Sequence, residues 1–190
     1  VIACLSALPG AIRLSFASLA IAAFMLGAGQ ARAQGALKGK FGDWQLRCDT
    51  LPAKGESKPT EQCILLQSLV DDQSVVDGQK VEINLVVVVL KASDPKSGGA
   101  KKPVLRVIAP LGILLPRGLG LKIDDEVIGA TGFVRCQPNG CVAEVELDTT
   151  LIEKLKKGKE ALFVIFLPPD DGRGLPLALD GFENGFGALP

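Results

Sequence analysis

Residues 79–90 read QKVEINLVVVVL, and their pattern decides the fold class. Val81, Ile83 and Leu85 alternate with Glu82 and Asn84, the period-two signature of a strand with one buried face. The alternation then gives way to four valines and Leu90, a run that predicts burial on both faces. Working outward, residues 61–70 (EQCILLQSLV) form a second strand, and Asp77-Gly78 between the two supplies a hairpin turn because glycine tolerates positive φ. Upstream, Trp44, Leu46 and Cys48 alternate with Gln45 and Arg47 in a further strand.

Downstream, the polar, glycine-rich stretch 92–102 (ASDPKSGGAKK) is a loop. Strands resume at 103–109, 119–123, 127–135, 141–147, 160–167 and 175–179. A single short helix interrupts them. Thr150 and Glu153 have capping-box spacing, Leu151, Ile152 and Leu155 share a face, and Gly158 is placed for a left-handed stop. Many short strands with one helix predict an all-β domain, a β-sandwich first and a partly open β-barrel second.

The N-terminal region has a different character. Arg13 precedes the apolar run Leu14–Leu26, and Ala31-Arg32-Ala33 follows as a small-residue cleavage site, so residues 1–33 read as a secretory signal removed before Gln34. The run is 13 residues long, too short for a bilayer span of about 20, so no transmembrane anchor is expected after cleavage. Cys4 lies before the apolar run, where a lipidated cysteine would have to follow it. Residues 34–190 then form one domain. Without Arg13 and Arg32, that domain has 19 basic side chains against 21 acidic ones, a formal charge of −2. Nucleic-acid readers carry a concentrated basic face, so this balance argues against such a partner.

Four cysteines, Cys48, Cys63, Cys136 and Cys141, admit three full pairings. Only one joins neighbours at both ends, Cys48 with Cys63 and Cys136 with Cys141. The first bridge would close the polar loop 49–60 and the second would clamp the reverse turn Gln137-Pro138-Asn139-Gly140, where Asn139-Gly140 can take left-handed geometry. Zinc would require CxxC-like spacing or histidine partners, and the chain has no histidine. Four residues between Cys136 and Cys141 do not fit a thioredoxin-type pair. The cysteines are therefore structural, and no metal or cofactor is expected.

The missing histidine also removes Ser-His and Cys-His nucleophile pairs. Carboxylates cluster at Asp71-Asp72, Asp124-Asp125-Glu126 and Asp170-Asp171 and could act as acid and base, although adjacent acids in turns are usually solvated. None matches a calcium loop. Gly112, Gly118 and Gly120 lie in Leu111–Leu121 (LGILLPRGLGL), which lacks the Lys-Ser/Thr ending of a phosphate loop. Its leucines suggest a docking patch, with Leu111, Ile113, Leu114, Leu115 and Leu119 as candidate partner-binding residues. Burial in the core is the competing fate of the same side chains. Trp44, the only tryptophan, is expected in the core.

Several spaced elements together carry a family resemblance. They are Phe41-Gly-Asp-Trp44 followed by Cys48, Cys63 with Gln67, Pro110-Leu-Gly112 with Leu115-Pro116 and Gly118, and Ile123-Asp124. Cys136-x-Pro-x-Gly-Cys141, Leu151-Ile152 with Lys156-Lys-Gly158, and Leu177-x-Leu-x-Gly181-Phe182 complete the series over residues 39–186. In this order and spacing, the chain resembles the invasion-associated locus B (IalB) proteins of alphaproteobacteria. The resemblance implies an immunoglobulin-like β-sandwich and a periplasmic, outer-membrane-associated or secreted protein, in a family named for promoting invasion of host red cells. It implies no catalytic mechanism. Ala178 departs from the family pattern, where serine is expected. The reading that follows is a non-enzymatic exported protein that binds an envelope or host-surface protein. A structural or chaperone-like component and a carboxylate-dependent envelope hydrolase are its alternatives.

Overall fold

The structure is a computed structural model that describes residues 35–52, 59–76, 78–93 and 101–190. The expected leader and cleavage site, Cys4, Asp77, and residues 53–58 and 94–100 of the polar loops lie outside the described residues. Thirteen strands and two helices are described: β1 Ala36–Phe41, β2 Trp44–Leu51, β3 Thr60–Asp71, β4 Val75–Val76, β5 Gln79–Lys80, β6 Ile83–Ser93, β7 Lys101–Ala109, β8 Leu119–Ile123, β9 Glu126–Thr131, β10 Phe133–Gln137, β11 Gly140–Glu146, α1 Thr149–Lys157, β12 Glu160–Leu167, β13 Asp171–Ala178 and α2 Phe182–Gly187.

Two antiparallel sheets make an all-β sandwich. The larger has seven strands in the order β1-β2-β3-β6-β7-β11-β10, the smaller four in the order β13-β12-β8-β9, and they do not close into a barrel. Their facing sides supply one core, with Leu65, Leu85, Val87, Val107, Phe163 and Ile165 among its most deeply buried members. β6 sits between β3 and β7 near the middle of the large sheet, and Val87, Val88, Val89 and Leu90 are all buried, as the valine run predicts. The strand itself starts at Ile83. Gln79 and Lys80 instead pair with Val76 and Val75 in a small hairpin around Gly78, whose φ is 78°.

The segment 127–135, expected as one strand, is two. β9 pairs only with β8 in the small sheet, β10 pairs with β11 in the large one, and Gly132 separates them. The chain thus changes sheets within a single stretch of strand-forming residues. β1 was not expected from the sequence. Its short stretch, with Gly39 and exposed Leu37, shows little alternation of its own and becomes a strand by pairing with β2.

The helix ends also differ from expectation. Asp148, not Thr150, caps α1, its carboxylate accepting from the Leu151 N–H at 2.7 Å, and Glu153 pairs with Lys156 and Lys157 instead of closing a box. Gly158 has extended geometry (φ −68°, ψ 158°). It is accommodated because a Cβ there would lie 2.8 Å from both Ile123 and Leu179. Contrary to the expectation of one helix, α2 follows Gly181, whose φ of 81° and approach to the Phe41 carbonyl exclude a side chain. α2 packs against β1, β2 and α1 and buries Phe182 edge-on to Trp44 at 5.2 Å.

Candidate functional site

Both disulfides join the nearest cysteines. Cys48 and Cys63 are directly opposed on β2 and β3 with Cα atoms 4.0 Å apart, and Cys136 and Cys141 are opposed on β10 and β11 at 3.9 Å. In the turn that the second bridge clamps, Gly140 takes positive φ but Asn139 does not. Glu61 lies close enough to Cys48 and Cys63 to suggest a metal group, but the two sulfurs are bonded to each other and are not free thiolate donors.

The carboxylate clusters are engaged in turns and ion pairs. Asp71 accepts from the Ser74 hydroxyl and the Gln73 N–H, and these bonds, the Ser74 hydroxyl first, hold its carboxyl below the ordinary range with help from Arg173. Asp124, at φ 49°, accepts from the Lys159 and Glu160 N–H groups at 3.0 and 3.1 Å, closing the corner between β8 and β12. Lys122 faces Asp125, and Lys154 holds Glu126 at 2.6 Å. Asp170 pairs with Arg117, whose guanidinium lies over the Phe166 ring, and Asp171 pairs with Arg173. Asp71 and Asp124 thus brace loop corners; Asp124, Asp125 and Glu126 border an open concavity with Glu153, Lys154 and Lys157, and none of the acids lines the apolar cleft described next.

The five residues proposed as a docking patch are divided by the fold. Leu111 (56% exposed) and Leu115 (43%) face solvent, whereas Ile113 and Leu119 are buried in the core. Leu114 is half-buried, and its N–H donates to the Phe166 carbonyl at 2.8 Å. The segment passes from a turn through the single helical turn Leu115–Arg117 into β8, which divides the leucines between solvent and core, so the five do not form one continuous surface. Gln67 lies buried on the inner face of β3, with its side-chain oxygen unpartnered among the described residues. It does not line the cleft.

A concave feature with apolar walls lies elsewhere among the described residues. The small sheet spans less width than the large one, with β13 against β3 and β9 against β11. On the β1–β2 flank, α2 covers the overhang. Along β9, a cleft of about 290 Å³ runs between the sheets as far as Phe163. Leu105, Val107, Ala143 and Val145 form one wall and Leu119, Leu121 and Phe163 the other. Residues 128–131 of β9 and Leu151 of α1 border it, and Thr131 supplies the sole polar side chain of the lining. Of the five candidate docking residues, Leu119 is the one on this wall. The signal that could have found it is the uncharged run 127–134 (VIGATGFV), bracketed by Glu126 and Arg135.

The family described as Invasion associated locus B (IalB) protein matches residues 44–190, most of the chain. This chain belongs to the invasion-associated locus B family. It is 29% identical over 150 residues, covering 77% of this chain and 75% of the relative, to an invasion protein B homolog of Brucella abortus (strain 2308). An invasion protein B homolog of Brucella abortus biovar 1 (strain 9-941) matches equally. The crystal structure of invasion associated protein B from Bartonella henselae is similar with a TM-score of 0.57 and 23% identity, over 80% of this chain and 93% of that one. At that identity, the likeness establishes the shared fold. The two disulfides and membership of the IalB family suggest export, and no described helix is long and apolar enough to cross a membrane. At Ala178 it is the backbone carbonyl that accepts from the Trp44 indole N–H at 3.0 Å, a bond that needs no side-chain hydroxyl.

Proposed function

We propose that this IalB-family chain is a non-enzymatic binding module, exported to the periplasm, the outer membrane or the medium, that takes a protein partner and promotes host-cell invasion where the bacterium has a host. The observation that carries the reading is the apolar cleft beside β9, an unfilled concavity between the sheets whose walls hold no ionisable group. Such sites bind through buried apolar contact. The leader, the two disulfides and the relatives named as invasion proteins support export and the host role. The engagement of each carboxylate cluster in turns favours binding over hydrolysis.

The test is affinity capture of envelope and host-membrane proteins on the oxidised protein, paired with a gene-deletion strain scored for envelope integrity and invasion. One or a few specific partners and a defect in the deletion strain are expected. Absence of both would end the reading. Capture of many unfolded clients would favour the chaperone-like alternative. An activity lost in Asp124→Asn, Asp125→Asn or Glu126→Gln would favour the hydrolase.

A further inference from the structure

β9 is an edge strand of the small sheet, and its outer side has no strand partner among the described residues. Natural edges are guarded by short strands, charged side chains (lysine above all), proline, bulges or a covering element. β9 starts with the charged Glu126, but from Val127 to Thr131 it carries no charge and no proline, and Val127 is 76% exposed. A bulge lies opposite the Leu121–Lys122 step of β8, between Val127 and Gly129, where a strand is bent and its side chains re-aimed. Ile128, the residue inserted there, reaches the cleft. Free main-chain groups thus run alongside an apolar hollow. These are the two parts of strand-addition recognition, in which backbone hydrogen bonds give affinity and a pocket for alternate side chains gives specificity.

Charge complementarity selects the occupant. Neither the cleft nor residues 127–131 of the edge bears a formal charge; Glu126, at the start of β9, is held by Lys154, and Arg135, in β10, shares Glu144 with Arg106. A charged segment docking here would lose hydration without gaining a counter-charge, whereas an uncharged one would not. We propose that β9 receives an extended, uncharged segment of a partner protein as an added strand, with alternate apolar side chains of that segment entering the cleft. This deepens the protein-binding reading above and rests on it.

The test screens a displayed library of random nonapeptides against the folded, oxidised wild type and against Ala130→Lys. Ala130 is exposed on the border of the cleft, so its replacement leaves the core in place. Enrichment of uncharged peptides with alternating apolar positions is expected. Synthetic copies should shift the backbone amide resonances of residues 127–131, bind the lysine variant about ten-fold or more weakly, and lose binding when alternate backbone nitrogens are methylated. No enrichment, enrichment of charged peptides, or indifference to Ala130→Lys and to methylation overturns the proposal. Lauric acid binding in the cleft while no peptide binds overturns it too, in favour of a hydrocarbon ligand. Partner capture repeated with Ala130→Lys separates this inference from the broader reading. Equal capture by both proteins removes the β9 site and keeps the binding module, whereas capture by neither removes both.

Discussion

Phe182→Ala tests whether α2 is a structural closure of the sandwich. Phe182 is fully buried, meets Trp44 edge-on at 5.2 Å and stacks on Phe186 at 5.7 Å. Truncating a buried phenylalanine costs about 3–5 kcal/mol through lost transfer energy and the cavity left behind. Of that, about 0.5–1.5 kcal/mol is the aromatic pairing itself. Against a total stability of roughly 5–15 kcal/mol, such a loss is large. Trp44 is the only tryptophan, so its fluorescence reports directly from the contact being removed. Urea titration of the oxidised protein should show the transition moved to markedly lower denaturant, with Trp44 emission red-shifted in the folded baseline as water reaches the indole. Phe182→Leu, which keeps most of the volume, should recover more than half of the loss. A change below about 1 kcal/mol for the alanine variant, with unchanged emission, would refute the claim that α2 closes the β1–β2 flank.

Removing the Cys48–Cys63 bridge by paired alanine substitutions should cost about 3 kcal/mol in urea unfolding, because it closes a 15-residue separation, while removing Cys136–Cys141 should cost less. Asp148→Ala should destabilise by about 1 kcal/mol through loss of the α1 cap, with Thr150→Ala nearly silent in the same melts. Asp71 has its folded-state pKa depressed below the ordinary 3.8, so its contribution is present above that value and disappears as pH falls through the folded pKa. The stability gap between wild type and Asp71→Asn should therefore be full at neutral pH and shrink below about pH 4 in pH-dependent unfolding; a gap that widened in acid would contradict the assignment.

The all-β class and the cysteine pairing are legible in the sequence because both depend on local relations. Alternation at Trp44–Cys48 and the valine run of β6 state which faces are buried, and a two-residue period survives whatever the strand pairs with. The turns around Gly78 and Gly140 place neighbouring strands side by side, which brings Cys136 opposite Cys141. The candidate site was less legible. Leu111–Leu121 has the composition of a patch, yet solvent or core is decided for each leucine by where its backbone meets β12, as at the Leu114 bond to Phe166.

Taken alone, then, the sequence determined strand character and family membership through residues spaced along the chain, and its paired cysteines suggest export. Only the tertiary structure decided that 127–135 breaks at Gly132 and belongs to two sheets, that Phe182 folds back onto Trp44, and that α2 covers one flank while a cleft remains along β9. The physical reason is that periodicity records the direction of each side chain relative to its own strand. Which sheet a strand joins, and whether the space beside it is filled, depends on contacts among residues far apart in the chain, and no local pattern carries that information.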